Sequence, residues 1–408
     1  MKKSKIIFVV TLLAISVWSC TNPYVLQTEN FEDVLVIEAT ITNEFKPQEI
    51  KITRTFRLEQ IVAPSVDNAS VKVQVSDGNV YFFQFNNGRY VSTIPFQATV
   101  GKQYQLIVKS LDGKTYSSTS ENLSTINNLQ SLQAIPTVKG GAAGVGIFAK
   151  SFDASNTSKY YRFEYEETHQ VIAPRWINGE AIVTLADMSP PYPAALNIFA
   201  RTTEARVCYS NQKSDKIILT STNDLAEDRL DFPVRFIKSN DYFIANRYTI
   251  LVRQYVQNLA AYTYYKTLRD LSSSNGILSQ SQPGFFFGNL KSESDPLEKV
   301  IGFFDVSSVS SKRLFFNYRD IFPGQFGPAY PFKCPDIDDN NRNEYVQKFC
   351  FTASLNGPAC FGLNILNDIY YKRRVYFEND GDKYALYPIQ CGDCTSFSSN
   401  IKPSFWID

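Results

Sequence analysis

Histidine is almost missing from this 408-residue sequence, which has one, His169. Any Ser-His-Asp or Cys-His catalytic centre would have to use that single imidazole, and a histidine-rich metal centre is excluded. Net charge is also missing, since 41 Lys+Arg face 40 Asp+Glu. Nucleic-acid binders carry a basic excess or stripe, so this balance argues against that class. A hydrophobic share of 44% argues against a disordered chain. Long apolar runs are absent beyond the first twenty residues, and none reaches the roughly 18 residues of a spanning helix. Catalytic signatures are lacking too: there is no G-x-S-x-G elbow and no H-E-x-x-H helix. Gly140-Gly-Ala-Ala-Gly144-Val-Gly146 lacks the Lys-Ser/Thr of a phosphate loop and the order of a dinucleotide motif, and reads as a flexible loop.

What is present begins with a leader. Met1-Lys-Lys-Ser-Lys5 is a basic start, and Ile6 to Trp18 is apolar but too short to span a bilayer comfortably. Ser19-Cys20 follows, a small residue and then a cysteine, which looks like a lipobox. It implies a signal peptide over 1–19, cleavage before Cys20 and lipidation of that thiol. The expected mature chain is then held at a membrane by acyl chains through a tether at 20–33.

Cysteine usage agrees with export. Removing Cys20 from the seven leaves Cys208, Cys334, Cys350, Cys360, Cys391 and Cys394 as disulfide candidates. Six cysteines allow many pairings, and spacing does not choose among them. A zinc site at Cys391-Gly-Asp-Cys394 lacks a second CxxC and any nearby histidine. A thioredoxin-like role would need a βαβ setting, which the C-terminal tail does not offer.

The 31 Phe and 24 Tyr suit half-buried strands. Strand-like runs recur at Val34–Ile41, Glu49–Phe56, Ala69–Val75, Val80–Phe85, Arg89–Val91 and Tyr104–Val108. Asp77-Gly78, Asn87-Gly88 and Asp112-Gly113 punctuate them. The fold expected is mainly β, opening with an immunoglobulin-like β-sandwich at 34–124. A larger β-rich domain follows at 125–322, with a connector at 125–146, a strong strand at Arg247–Tyr255 and one prominent helix. Asn258 caps that helix, and apolar or aromatic residues recur through 259–271 at three- or four-residue spacing. Pro190-Pro-Tyr-Pro193 reads as a rigid loop. A disulfide-stapled, irregular C-terminal region at 323–408 packs on the second domain.

In order, the lipobox, Gly101–Val108 with Asp112-Gly113, Cys208-Tyr209, Tyr248–Val252, Ala261–Tyr265, Gln282-Pro283, Gly288-Asn289, Asp295-Pro296, Val300–Phe304, Cys391–Cys394 and Lys402–Trp406 resemble the DUF4249 lipoproteins of Bacteroidetes. The resemblance covers about 34–406. It implies an extracytoplasmic lipoprotein, often encoded beside a TonB-dependent outer-membrane receptor, and names a context more than a reaction.

The remaining candidates concern contact rather than catalysis. His169, among Glu166, Glu167 and Gln170, reads as a solvated residue at a strand end. Asp336, Asp338 and Asp339 resemble the start of a calcium loop, but Asn341 and Gln347 replace the glycine and glutamate of an EF-hand. Trp176 is a candidate for stacking on a sugar, and Phe285, Phe286 and Phe287 for partner contact. No cofactor or nucleic acid is expected. The function expected is that of a non-enzymatic accessory lipoprotein, lipid-anchored in the outer membrane and placed at the cell surface. It docks on a TonB-dependent receptor and caps it or assists substrate capture for nutrient uptake. The alternatives are a surface carbohydrate-binding module, an accessory subunit of a secretion or assembly machine, and an exported hydrolase.

Overall fold

A computed structural model describes residues 32–56, 62–185, 194–273, 288–336, 343–344, 363–381 and 383–408. Cys20, Pro190–Pro193, Phe285–Phe287, Asp338, Asp339, Cys350 and Cys360 lie outside the described residues. The chain is mainly β. Strand β1 (Leu35–Thr42) buries Leu35, Ile37, Ala39 and Ile41, the alternate residues that a strand with one face on a core must hide. β2 (Glu49–Arg54), β3 (Ser70–Val75), β4 (Val80–Asn86), β5 (Arg89–Ser92), β6 (Gln103–Lys109), β7 (Thr115–Ser118) and β8 (Glu121–Asn122) follow. β1 to β6 match the expected strands closely. The ladder from β1 through β2, β5, β4, β3 and β6 to β7 is unbroken, so this unit is one curled sheet around Val73, Tyr90, Tyr104 and Leu106. Fully burying each large side chain contributes about 1.5–3 kcal/mol before chain entropy is set against it.

The second segment supplies β9 (Ser131–Lys139), β10 (Ala142–Asp153), β11 (Tyr160–Ile172), β12 (Gly179–Leu185), β13 (Ala194–Ala200), β14 (Val207–Lys213), β15 (Ile218–Ser221), β16 (Asp228–Lys238) and β17 (Arg247–Gln257). Helix α1 (Leu259–Ser273), β18 (Leu290–Ser292) and β19 (Val300–Asn317) complete it. The glycine-rich stretch expected as a flexible loop is instead the β9–β10 hairpin. Gly140 and Gly141 turn it at φ 58° and 79°, the geometry of a two-residue hairpin turn. Asn258 caps α1 as expected, its Oδ1 accepting from the Ala261 N–H at 2.8 Å. The three-stranded sheet β16-β10-β9 packs on β11, β17 and the end of β19 around Ile147, Tyr161, Phe163, Ile250 and Val252. Its two edge strands carry Pro136 and Pro233, which blunts further strand addition.

β19 belongs to both units. Its first half pairs in parallel with β1, from Leu35↔Val300 to Thr42↔Ser307. Its second half pairs antiparallel with β17, from Val256↔Ser308 to Arg247↔Asn317. The division at 124 is therefore crossed: Leu290, Val300, Phe304 and Val306 return to the first core. Polar residues fill the handover. Ser308 donates to the Thr125 carbonyl at 2.5 Å, and Asp305 accepts from Gln257 Nε2 at 3.0 Å and Ser307 Oγ at 2.7 Å. Burial pushes the Asp305 carboxyl up, against the pull of the Arg162 charge and these hydrogen bonds. Arg162 stacks its guanidinium 4.2 Å from the Tyr255 ring and 4.8 Å from that of Tyr265, which α1 supplies.

The tail is more regular than expected. β20 (Asn343–Glu344), helix α2 (Leu363–Tyr370), β21 (Arg374–Asp380) and β22 (Lys383–Pro388) form a small sheet-and-helix layer against the β12–β13 hairpin.

The β1–β19 contact rests on Gly302. Its φ is 144°, and a Cβ there would sit 2.1 Å from the Ile37 carbonyl oxygen. A Cβ on Gly288 would sit 1.5 Å from the Gly302 carbonyl oxygen. Gly302→Ala is accordingly expected to cost about 3 kcal/mol or more, combining a disfavoured φ with backbone overlap. Gly113→Ala, at φ 87° with nothing within 4 Å, should cost about 1 kcal/mol. Urea midpoints of the two variants check the ranking.

Candidate functional site

The sequence-predicted residues that the structure describes gather at one end of the molecule. Because β1 and β19 run in parallel, the residues after the tether lie at the start of β19. The C-terminal residues pack near its end. Trp406 sits against Tyr209 and Phe315, with ring centroids 4.9 and 6.0 Å apart, and Arg313 lies 3.6 Å over Phe405. Tyr209 exchanges backbone hydrogen bonds with Ser399 at 2.7 and 3.2 Å. Two disulfides fix this arrangement. Cys208 on β14 joins Cys394 with a Cα–Cα distance of 5.8 Å, and Cys334 joins Cys391 at 5.7 Å. The first closes a loop of 186 residues, and removing such a bond typically costs about 2–5 kcal/mol.

Trp176 packs half-buried against Val171, Ala173, Cys208 and Cys394, with the Arg206 guanidinium 5.8 Å from its ring. That ring contributes to the stapled core. Asp336 is exposed and ion-paired to Arg175, and a guanidinium opposite the carboxylate works against a calcium ion. Among the described residues no group of three metal-capable side chains comes together.

Beside the staples lies a cavity of about 370 Å³ that sequence reading did not single out. Ile182, Val183, Ile369, Val375 and Ile389 wall it, and Arg201, Lys372, Arg374, Glu180 and Asp393 add charge. Arg201 follows β13, and its side chain is 5% exposed. Its Nη1 reaches Asp393 Oδ2 at 3.4 Å, while Asp393 Oδ1 also accepts from the Thr395 N–H at 2.9 Å. Asp393 therefore links the cavity to the turn between Cys391 and Cys394. Nothing in the local sequence marks Arg201, because its partner is 192 residues away.

A second groove, of about 480 Å³, lies where the two units meet and is lined by Arg89, Arg162, Glu164, Glu166, Lys213 and Arg253 among others. Most of its charges are matched within the protein: Arg162–Glu164, Lys213–Glu166, Arg253–Glu44 and Arg89–Glu49. That pattern suits a structural seam.

A family model described as "Domain of unknown function (DUF4249)" matches residues 21–313. The chain belongs to the DUF4249 family. The match spans the curled first unit and ends within β19, so Cys391–Cys394 and Lys402–Trp406 lie beyond it. No curated protein matches this DUF4249 chain. A solved structure titled "Biofilm associated protein - B domain" aligns at 9% identity over 71% of this chain and 90% of that one. Its TM-score of 0.13 carries no argument.

His169 corrects one expectation. The strand does not end near Tyr165: β11 of this DUF4249 chain continues to Ile172, and its inward alternation buries His169 completely. The imidazole stacks on Phe243 at 4.4 Å and meets Tyr242 edge-on at 5.3 Å. Glu167 is buried as well, where it holds Arg235 through two 3.0 Å contacts and accepts from the Tyr248 hydroxyl at 2.5 Å. Burial lowers the His169 pKa to about 4. The folded state then resists a proton that the unfolded chain accepts below about pH 6.5. Stability is full above pH 6.5, falls as pH drops toward 4, and is about 2 kcal/mol lower at pH 5 than at pH 7.5 from this group. His169→Phe should remove that share of the pH dependence, as read from urea midpoints at the two pH values.

Proposed function

We propose that this DUF4249 chain is an accessory lipoprotein, lipid-anchored in the outer membrane, that docks on a TonB-dependent receptor and caps it or assists substrate capture. The observation that carries the reading is the polarity of β19. The residues after the tether meet its first residues, and the disulfide-stapled module packs near its last. At about 3.3 Å per residue, this 18-residue strand separates the two ends by roughly 55 Å. A fully extended tether from Cys20 to Asp33 adds at most about 45 Å. A body of that reach suits a partner in the same membrane. Two supports come from elsewhere. The family match opens at residue 21, directly after Cys20, and the disulfides fit an oxidising compartment. Binding is favoured over catalysis because the single imidazole is buried and neutral, out of reach of a substrate. The receptor itself enters through the family resemblance.

The test is purification of the tagged, lipidated protein from native outer membranes in mild detergent. Near-stoichiometric recovery of one TonB-dependent barrel is expected, with Cys20→Ser released to the soluble fraction. Recovery of a secretion or assembly machine, or of a monomer that binds glycan directly, would contradict the receptor reading.

A further inference from the structure

The cavity behind the disulfide staples has the make-up of a ligand site. Its volume of about 370 Å³ lies in the range of small-molecule pockets. Exposure orders its charges by depth. Lys372 and Arg374 are exposed and stand at the rim, whereas the Arg201 side chain is 5% exposed. The Arg201 Nε–H has no acceptor among the described residues, and only Nη1 makes an ion pair, at 3.4 Å. An unpaired buried guanidinium donor is costly and calls for a partner. The edge of Nε and Nη2 is the face that receives a carboxylate in a two-point contact. The walls between floor and rim are aliphatic: Ile182, Val183, Ile369, Val375 and Ile389.

We propose that this cavity binds a small amphipathic carboxylate, its chain against the aliphatic wall and its head on Arg201. Asp393 meets only Nη1 of Arg201, at 3.4 Å, and leaves the Nε–H without an acceptor among the described residues. Glu180 and Asp393 disfavour a second anionic group, so the site selects one negative charge on an apolar body. The Cys208–Cys394 and Cys334–Cys391 bonds flank Asp393 and hold the floor fixed, which lowers the ordering cost of binding. The site is a property of the isolated chain and requires no receptor, so its failure and that of the docking reading are separable.

Titration calorimetry of the mature chain with decanoate, decanol and decyltrimethylammonium tests the assignment. Decanoate is expected to bind one to one, at least tenfold more tightly than either of the others. Arg201→Gln should weaken it at least tenfold. Ile182→Trp, which fills the cavity from an exposed position, should weaken it similarly while the thermal transition stays in place. Equal affinity for decanol, no binding of decanoate, or binding unchanged in Ile182→Trp would overturn the proposal. Should Arg201→Gln fail to fold, the Ile182→Trp result and the ligand series still decide.

Discussion

One strand carries two pairings, and the architecture depends on that fact. β19 leaves β1 at Ser307 and meets β17 at Ser308, with no turn between the two registers. Unzipping it would expose Val300, Phe304 and Val306 of one core and Phe316 of the other. Neither unit can lose this strand and keep its hydrophobic surface covered. The parallel pairing with β1 also sets direction, because it carries β19 away from the tether end of the first unit into the second, whose strands β9 to β17 precede it in the chain.

The chemistry of the handover follows from geometry. Between two apolar cores, backbone and side-chain polar groups are enclosed and must find partners within the protein. The serines at 307 and 308, with Asp305, Gln257 and Ser124, supply them at distances near 3 Å. Arg162 is held in the same seam by two tyrosine faces and Glu164. Such a buried polar seam adds little net stability, since desolvation offsets most of its attraction. Its contribution is register: an apolar seam would tolerate sliding, whereas paired donors and acceptors fix which residue of β19 faces which strand.

Much of this was legible in the sequence, for identifiable reasons. Strands β1, β3 and β6 alternate cleanly, and Asp77-Gly78, Asn87-Gly88 and Asp112-Gly113 follow β3, β4 and β6, so local pattern located them. Asn258 and the spacing of α1 announced the helix. What local pattern misses is whatever long-range pairing decides. The run Val-Ile-Gly-Phe-Phe-Asp-Val-Ser-Ser-Val looks like one strand of one domain, and only the register shows it shared. The glycines at 140–146 looked loose because composition does not reveal a hairpin packed closely on β16, where a Cβ added to Gly144 would lie 2.2 Å from the Ile237 carbonyl oxygen. His169 looked solvated because its neighbours are charged, yet Glu167 beside it is itself buried with Arg235. Of the predicted contact residues, Trp176 turned inward on the staples. The cavity around Arg201 drew on five separate segments and left no local mark.

Tether, splint strand and stapled module form a series in which each part is useful only if the body between the ends is a single piece. Scanning calorimetry of the mature chain measures that directly. The account predicts one transition for both units, with calorimetric and van't Hoff enthalpies in agreement. Two resolved transitions, with the first unit melting while β17 and its neighbours stay folded, would contradict it.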